Sequence, residues 1–163
     1  MKTGLIVVFL FFFLAANSQD FLLKSESEIF SFDTQNGKHV LLAKDKANAY
    51  IVYRYGTKDS VEFEFPEKNK DSWNKFKYSF YLRGGGVQNE GMDLNYVYFI
   101  NKGYKYSICD TYNSVGNKSE LGIEVTNLKT SKTVDIKGVG KTRKGTLIDF
   151  RDNKLLEIVE FDQ

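Results

Sequence analysis

Val61-Glu62-Phe63-Glu64-Phe65 alternates apolar and acidic residues without a break. Successive side chains of a β-strand point to opposite faces. The segment therefore presents three apolar groups to one side and two carboxylates to the other. A helix would scatter both kinds around its circumference. We read it as a half-buried antiparallel strand, apolar inward and charged outward, with lysines opposite the glutamates.

The same period of two runs outward from this point. Upstream, Glu28 to Asp33 places Phe30 and Phe32 on one face, and His39 to Ala43 returns beside it. Asn36-Gly37 between them is a strong hairpin signal, because both residue types accept positive φ. Ala49 to Tyr55 is the next strand. Downstream, Trp73 to Arg83 turns Phe76, Tyr78, Phe80 and Leu82 toward the core, and Gly84 to Gly91 is a glycine-rich loop. Met92 to Asn101, Tyr104 to Tyr112, Leu121 to Val125 and Thr133 to Ile136 continue the pattern, with Lys102-Gly103 as a tight turn. Thr146 to Phe150 and Leu155 to Phe161 close the chain. Leu155, Leu156, Ile158 and Val159 also fit helical spacing, and we read this last segment as an edge strand.

The composition agrees with a β-protein. The chain has 10 Tyr, 14 Phe, 13 Gly and a single Pro, and it carries no sustained helical period, repeat or linker. The expected fold is all-β: a single antiparallel β-sandwich of about ten strands, with a closed or partly closed meander barrel as the alternative.

Residues 1–18 have a different character. Met1-Lys2 is followed by an apolar run from Leu5 to Leu14, and Ala16 and Ser18 are small residues placed as in a signal-peptidase site. This layout predicts a secretory signal peptide cleaved after Ser18. The run is shorter than the roughly 20 residues that a membrane helix needs. The mature domain would be residues 19–163, exported to the periplasm or the medium, with no transmembrane segment. Loss of Lys2 lowers the formal net charge from +2 to about +1. That balance argues against nucleic acid as a partner. Cys109 is the one cysteine, so no intramolecular disulfide can form, and the domain must rely on its core.

Catalytic and metal-binding patterns are sparse. His39 is the only histidine, and one His with one Cys is too few for a zinc site. No catalytic residue, metal or cofactor is assigned. The candidate ligand-binding residues flank the glycine-rich loop: Tyr81, Arg83, Gln88, Asn89, Glu90 and Asp93. Glycines let a backbone approach a ligand, and these side chains supply an aromatic face, donors and acceptors. The loop lacks the Lys-Ser/Thr pair and the following helix of a phosphate-binding P-loop. The tyrosines as a group read as core or rim residues, with Tyr53, Tyr55 and Tyr81 the better candidates for exposure. Lys137, Lys141, Arg143 and Lys144 form a basic cluster that could hold a phosphate or an acidic partner; it is read as a solvated loop, because the charge is local and no aromatic platform is interleaved with it.

The runs Tyr50 to Gly56, Val61 to Pro66, Tyr81 to Gly86 and Gly91 to Tyr96 resemble a group of small exported bacterial β-proteins without an assigned activity. The chain also resembles, more faintly, bacterial lysozyme inhibitors. Those are small exported β-barrels that usually carry a disulfide, which a single cysteine cannot supply internally. Both resemblances imply an exported β-domain and carry over no functional residue. The functional expectation is a non-enzymatic binding module for a protein or glycan in the cell envelope or outside the cell. The alternatives are a glycan hydrolase using paired carboxylates and a structural or assembly protein.

Overall fold

The computed structural model of the chain describes residues 21–152 and 154–161; the expected leader and its cleavage point lie outside them. Eleven strands are found among the described residues: β1 (Glu26–Asp33), β2 (His39–Asp45), β3 (Ile51–Thr57), β4 (Ser60–Phe65), β5 (Phe76–Arg83), β6 (Met92–Asn101), β7 (Tyr104–Asn113), β8 (Lys118–Asn127), β9 (Thr133–Lys137), β10 (Lys144–Gly145) and β11 (Glu157–Ile158). They form a five-stranded sheet in the order β10-β1-β2-β3-β4 and a six-stranded sheet in the order β11-β5-β6-β7-β8-β9. The sheets face one another across one core and do not close into a barrel. The fold is the all-β sandwich that the alternation predicts.

Each sheet is a meander of consecutive hairpins, β1–β4 in the first and β5–β9 in the second. Phe30, Phe32, Val40, Leu42, Ile51 and Tyr53 project from the first; Phe76, Tyr78, Val97, Phe99, Ile108 and Ile123 project from the second. Phe99 stands at the centre. Its ring lies 4.5 Å from that of Phe65, 5.0 Å from Tyr106, 5.2 Å from Tyr53 and 5.3 Å from Phe76. Fully burying such a side chain stabilises the fold by about 1.5–3 kcal/mol.

Several local expectations need correction. Strand β5 begins at Phe76 rather than Trp73, because Lys70–Lys75 forms a 3₁₀ turn. The Asn69 side chain accepts from the Asp71 N–H at 2.9 Å and starts that turn. Thr146 to Phe150 is not a strand. Ile148–Arg151 is a 3₁₀ turn, and Leu147 and Phe150 both reach the core because positions three apart eclipse in that geometry. In the last segment only Glu157 and Ile158 pair, and they run parallel to Lys77 and Tyr78 of β5. A parallel pair needs a long connection, and here most of the second sheet and all of β10 lie between the two strands. Tyr53, expected to be exposed, is 1% exposed: it shares the inward side of β3 with Ile51, and Tyr55 packs half-buried against the same core. Leu82 was expected inside but is 57% exposed at the end of β5. In the Asn36-Gly37 turn only Gly37 takes a positive φ, of 80°.

The outer face of the first sheet carries a buried charge. Arg54 points away from the core, yet it is wholly enclosed, because the chain from Phe21 crosses over it. Its Nη1 donates to the Phe21 carbonyl at 2.7 Å and to Glu26 Oε2 at 2.6 Å. Nη2 donates to Glu26 Oε1 at 2.7 Å, and Nε to Glu64 Oε2 at 2.7 Å. Glu64 also pairs with Lys68, and Glu62 with Lys38.

Candidate functional site

The six residues around the glycine-rich loop do not converge. Gly86–Asn89 forms a 3₁₀ turn at the tip of the β5–β6 hairpin, with Gln88 and Asn89 exposed. Gly85 has φ 91°, and any side chain there would strike the Asn89 amide. Arg83 and Glu90 pair with each other: Arg83 Nε donates to the Glu90 carbonyl at 2.9 Å, and Nη2 lies 3.3 Å from Oε2. Those contacts close the turn. Tyr81 and Asp93 leave the tip on opposite faces of the sheet.

Asp93 points inward, into a polar cluster at one end of the core. Arg151 Nη2 donates to Asp93 Oδ1 and, at 2.9 Å, to Asn95 Oδ1. The Tyr78 hydroxyl donates to Asn95 Oδ1 at 2.6 Å, and Asn95 Nδ2 donates to Asp93 Oδ1 at 2.7 Å. The Arg151 guanidinium also lies over the Phe80 ring at 4.9 Å. Next to the cluster, Arg143 Nη1 reaches both oxygens of Asp110, at 2.8 and 3.1 Å. Burial pushes the Tyr78 phenol above its ordinary pKa, against the opposing effect of Arg151. Both carboxylates are engaged by guanidinium groups that hold the 140–151 segment against the second sheet.

Tyr81 points to the other side, onto the outer face of the six-stranded sheet. Residues directly paired across antiparallel strands share a face, so the register lays this surface out in rows. One row is Ser79, Tyr96, Cys109, Gly122 and Lys137; the next is Lys77, Tyr98, Ser107, Glu124 and Asp135. Tyr81 and Leu94 begin a third. Phe161 lies across the tyrosines, stacked on Tyr96 at 5.6 Å and tilted against Tyr81 at 5.8 Å. Lys105 Nζ sits 4.1 Å over the Tyr98 ring. Between Tyr96, Tyr98, Phe161, Lys105, Ser79 and Glu124 lies an open groove of about 290 Å³.

Electrostatics and packing set the chemistry of this face. Burial, followed by the neighbouring Cys109 and then the charges of Glu124 and Glu120, pushes the Tyr96 phenol up to about 12, so it stays protonated at neutral pH. Burial likewise raises the Cys109 thiol, which is 7% exposed and donates to the Ser107 carbonyl at 3.4 Å. A thiol held protonated is a poor nucleophile. Gly122 beside it has no room for a side chain, since a Cβ would lie 2.6 Å from the Ile136 carbonyl oxygen. No family model, curated protein or solved structure matches the chain.

The arrangement offers stacking rings with hydroxyls, an ammonium and carboxylates around one groove. His39 is elsewhere, on β2, with Nδ1 2.8 Å from Asp33 Oδ1. Tyr96 and Tyr98 were missed as surface residues because β6 is apolar on both faces near its end. The signal was in the partner strand: Lys105 and Ser107, in phase with the two tyrosines across the pairing, are the polar side of β7.

Proposed function

We propose that the protein is an exported, non-enzymatic binding module that takes a glycan or protein ligand of the cell envelope or the medium on the outer face of its six-stranded sheet. One observation carries the reading: Tyr81, Tyr96 and Tyr98 stand together on a solvent-facing sheet, with polar groups interleaved in the same rows. An aromatic ring stacks on the apolar face of a sugar or on another side chain, and its hydroxyl gives direction. Ser79, Ser107, Lys105 and Glu124 supply the donors and acceptors that such a ligand needs. This mixture supports a glycan ahead of a protein.

Glu62, Glu64, Glu90 and Asp93 are each held by a lysine or arginine, which supports binding over hydrolysis by a pair drawn from them. Hydrolysis needs two carboxyl groups free to reach one bond. The test is affinity electrophoresis against soluble polysaccharides and muropeptides, comparing the wild-type domain with Tyr96→Ala/Tyr98→Ala. Loss of two stacking rings should weaken retention about tenfold or more, while the far-ultraviolet spectrum stays unchanged. Equal retention of the folded double variant would remove this face as the site.

A further inference from the structure

The basic cluster of the sequence does not stay together, and its separation creates a second site. Lys137 leaves on β9, toward the outer face of the six-stranded sheet. Lys141, Arg143 and Lys144 instead meet two residues from distant parts of the chain, Lys58 of the β3–β4 turn and His39 of β2. Together with Phe21 and Asp33 they line an open groove of about 450 Å³ at the edge of the first sheet.

We propose that this groove binds a ligand carrying closely spaced phosphate groups. Lys58, Lys141 and Lys144 are all exposed, and none forms an ion pair among the described residues. Asp33 is the one carboxylate lining the groove, and it is already bound to His39 at 2.8 Å. Arg143 spends one nitrogen on Asp110 and is otherwise half-exposed. The excess positive charge is thus local, on a domain whose charges otherwise nearly balance.

The scaffold under these cations is fixed. Thr142 Oγ1 accepts from the Asp33 N–H at 2.8 Å and donates to the Val139 carbonyl at 2.7 Å. The Val139 N–H donates to the Asp33 carbonyl at 2.8 Å, and Lys144 pairs with Ser31 in the sheet. The lysines therefore project from a held backbone and need no reordering of the main chain to meet a ligand. Lysine acts on phosphate as a point charge. Several such charges in one small groove match a phosphate, which carries about −1.5 to −2 at neutral pH, better than a single carboxylate. The Phe21 ring, set edge-on to His39 at 5.1 Å, leaves one apolar wall for the carrier of those phosphates.

Phosphate groups of this kind occur on soluble phosphorylated ligands and on lipid headgroups. The test uses both sources. Isothermal titration with inorganic pyrophosphate, at 20 and 150 mM salt, is run on the wild type, on Lys58→Ala/Lys141→Ala/Lys144→Ala and on a charge-matched control of exposed lysines outside the groove, Lys70→Ala/Lys129→Ala/Lys132→Ala. Each groove lysine should be worth about fivefold, and the triple variant on the order of 100-fold. The control should bind as wild type, and raising the salt should weaken binding. Thermal melts establish that the exposed substitutions leave the fold intact. Sedimentation with vesicles of phosphatidylcholine and phosphatidylglycerol is the second arm. Vesicle binding that pyrophosphate competes away identifies a headgroup, and pyrophosphate binding without vesicle binding identifies a soluble ligand. No heat with pyrophosphate, equal weakening in the control, or vesicle binding that pyrophosphate leaves untouched would overturn the site.

Discussion

Arg54 shows how one residue depends on structure that its own strand does not reveal. Alternation places it outward on β3, where an arginine is ordinarily solvated. It is buried because Phe21 to Leu23 fold over it and Glu26 bonds it through both carboxylate oxygens. Nothing in the spacing of residues 21–26 marks that crossing. Burial pushes the Glu26 carboxyl up, but hydrogen bonds from Arg54 and the Leu23 N–H outweigh it, and the net pKa lies below the ordinary value. Glu64 is lowered too: burial raises it, and Lys68 and Arg54 more than reverse the effect. Removing one partner of a buried pair strands the other, at about 3–5 kcal/mol. Arg54 keeps Glu64 and the Phe21 carbonyl, so Glu26→Gln should cost less than a fully stranded charge, on the order of 2 kcal/mol at pH 7, read from urea midpoints. The pH dependence follows from the depressed pKa values. The contribution is fully present above the unfolded carboxyl pKa of about 4.3 and fades as pH falls through the lower folded value. The wild type should lose stability on acidification below about pH 4.5, and Glu26→Gln should show a shallower acid limb. Parallel limbs would assign the acid sensitivity to other carboxylates.

At the level of elements, the long strands were legible and the short ones were not. Met92 to Asn101 was read to its observed limits, because its alternation from Met92 to Tyr96 runs into a continuous apolar stretch that stops at the Lys102-Gly103 turn. Strands β10 and β11 have two residues each, too few for any period to show. What fixes β10 is a feature of its partner. The β1–β2 register shifts between Glu28 and Phe30, leaving Ile29 as a bulge. Such a bulge bends the strand. The Ile29 carbonyl oxygen then sits where a Cβ on Gly145 would lie, 1.9 Å away, and Gly145 has φ 73°. Only glycine satisfies both conditions. Gly145→Ala should detach β10 from β1 and cost about 2 kcal/mol or more, from the left-handed backbone plus the clash. Hydrogen exchange should show lost protection at the β1–β10 pairing while β6 and β7 stay protected. Retained protection with an unchanged urea midpoint would mean that the Ile29 bulge relaxes to admit the methyl group. The contacts of the candidate loop are equally invisible in its spacing: Arg83 and Glu90 close their own turn, and Asp93 faces the core side, where Arg151 meets it.

For the whole molecule, the decisive fact is that two sheets share one core without a disulfide crosslink. Each sheet buries its inner face only against the other, so neither has a reason to persist alone. The connection between them makes the same point: in the 3₁₀ turn Lys70–Lys75, Ser72 Oγ accepts from the Ile51 N–H at 2.9 Å, and Trp73 Nε1 donates to the Asn48 carbonyl at 3.1 Å. Trp73 is the single tryptophan, and it sits where the first sheet hands over to β5. Its fluorescence reports on the junction, whereas far-ultraviolet circular dichroism reports on both sheets. The two probes should give coincident urea transitions, as a domain of this size with one core unfolds in a single step. Reductant should leave the midpoint unmoved, because the lone Cys109 is buried and has no partner with which to crosslink the fold. A fluorescence transition that precedes the dichroic one would mean that the junction opens while a sheet survives, and the shared core would then not be what holds the two layers together.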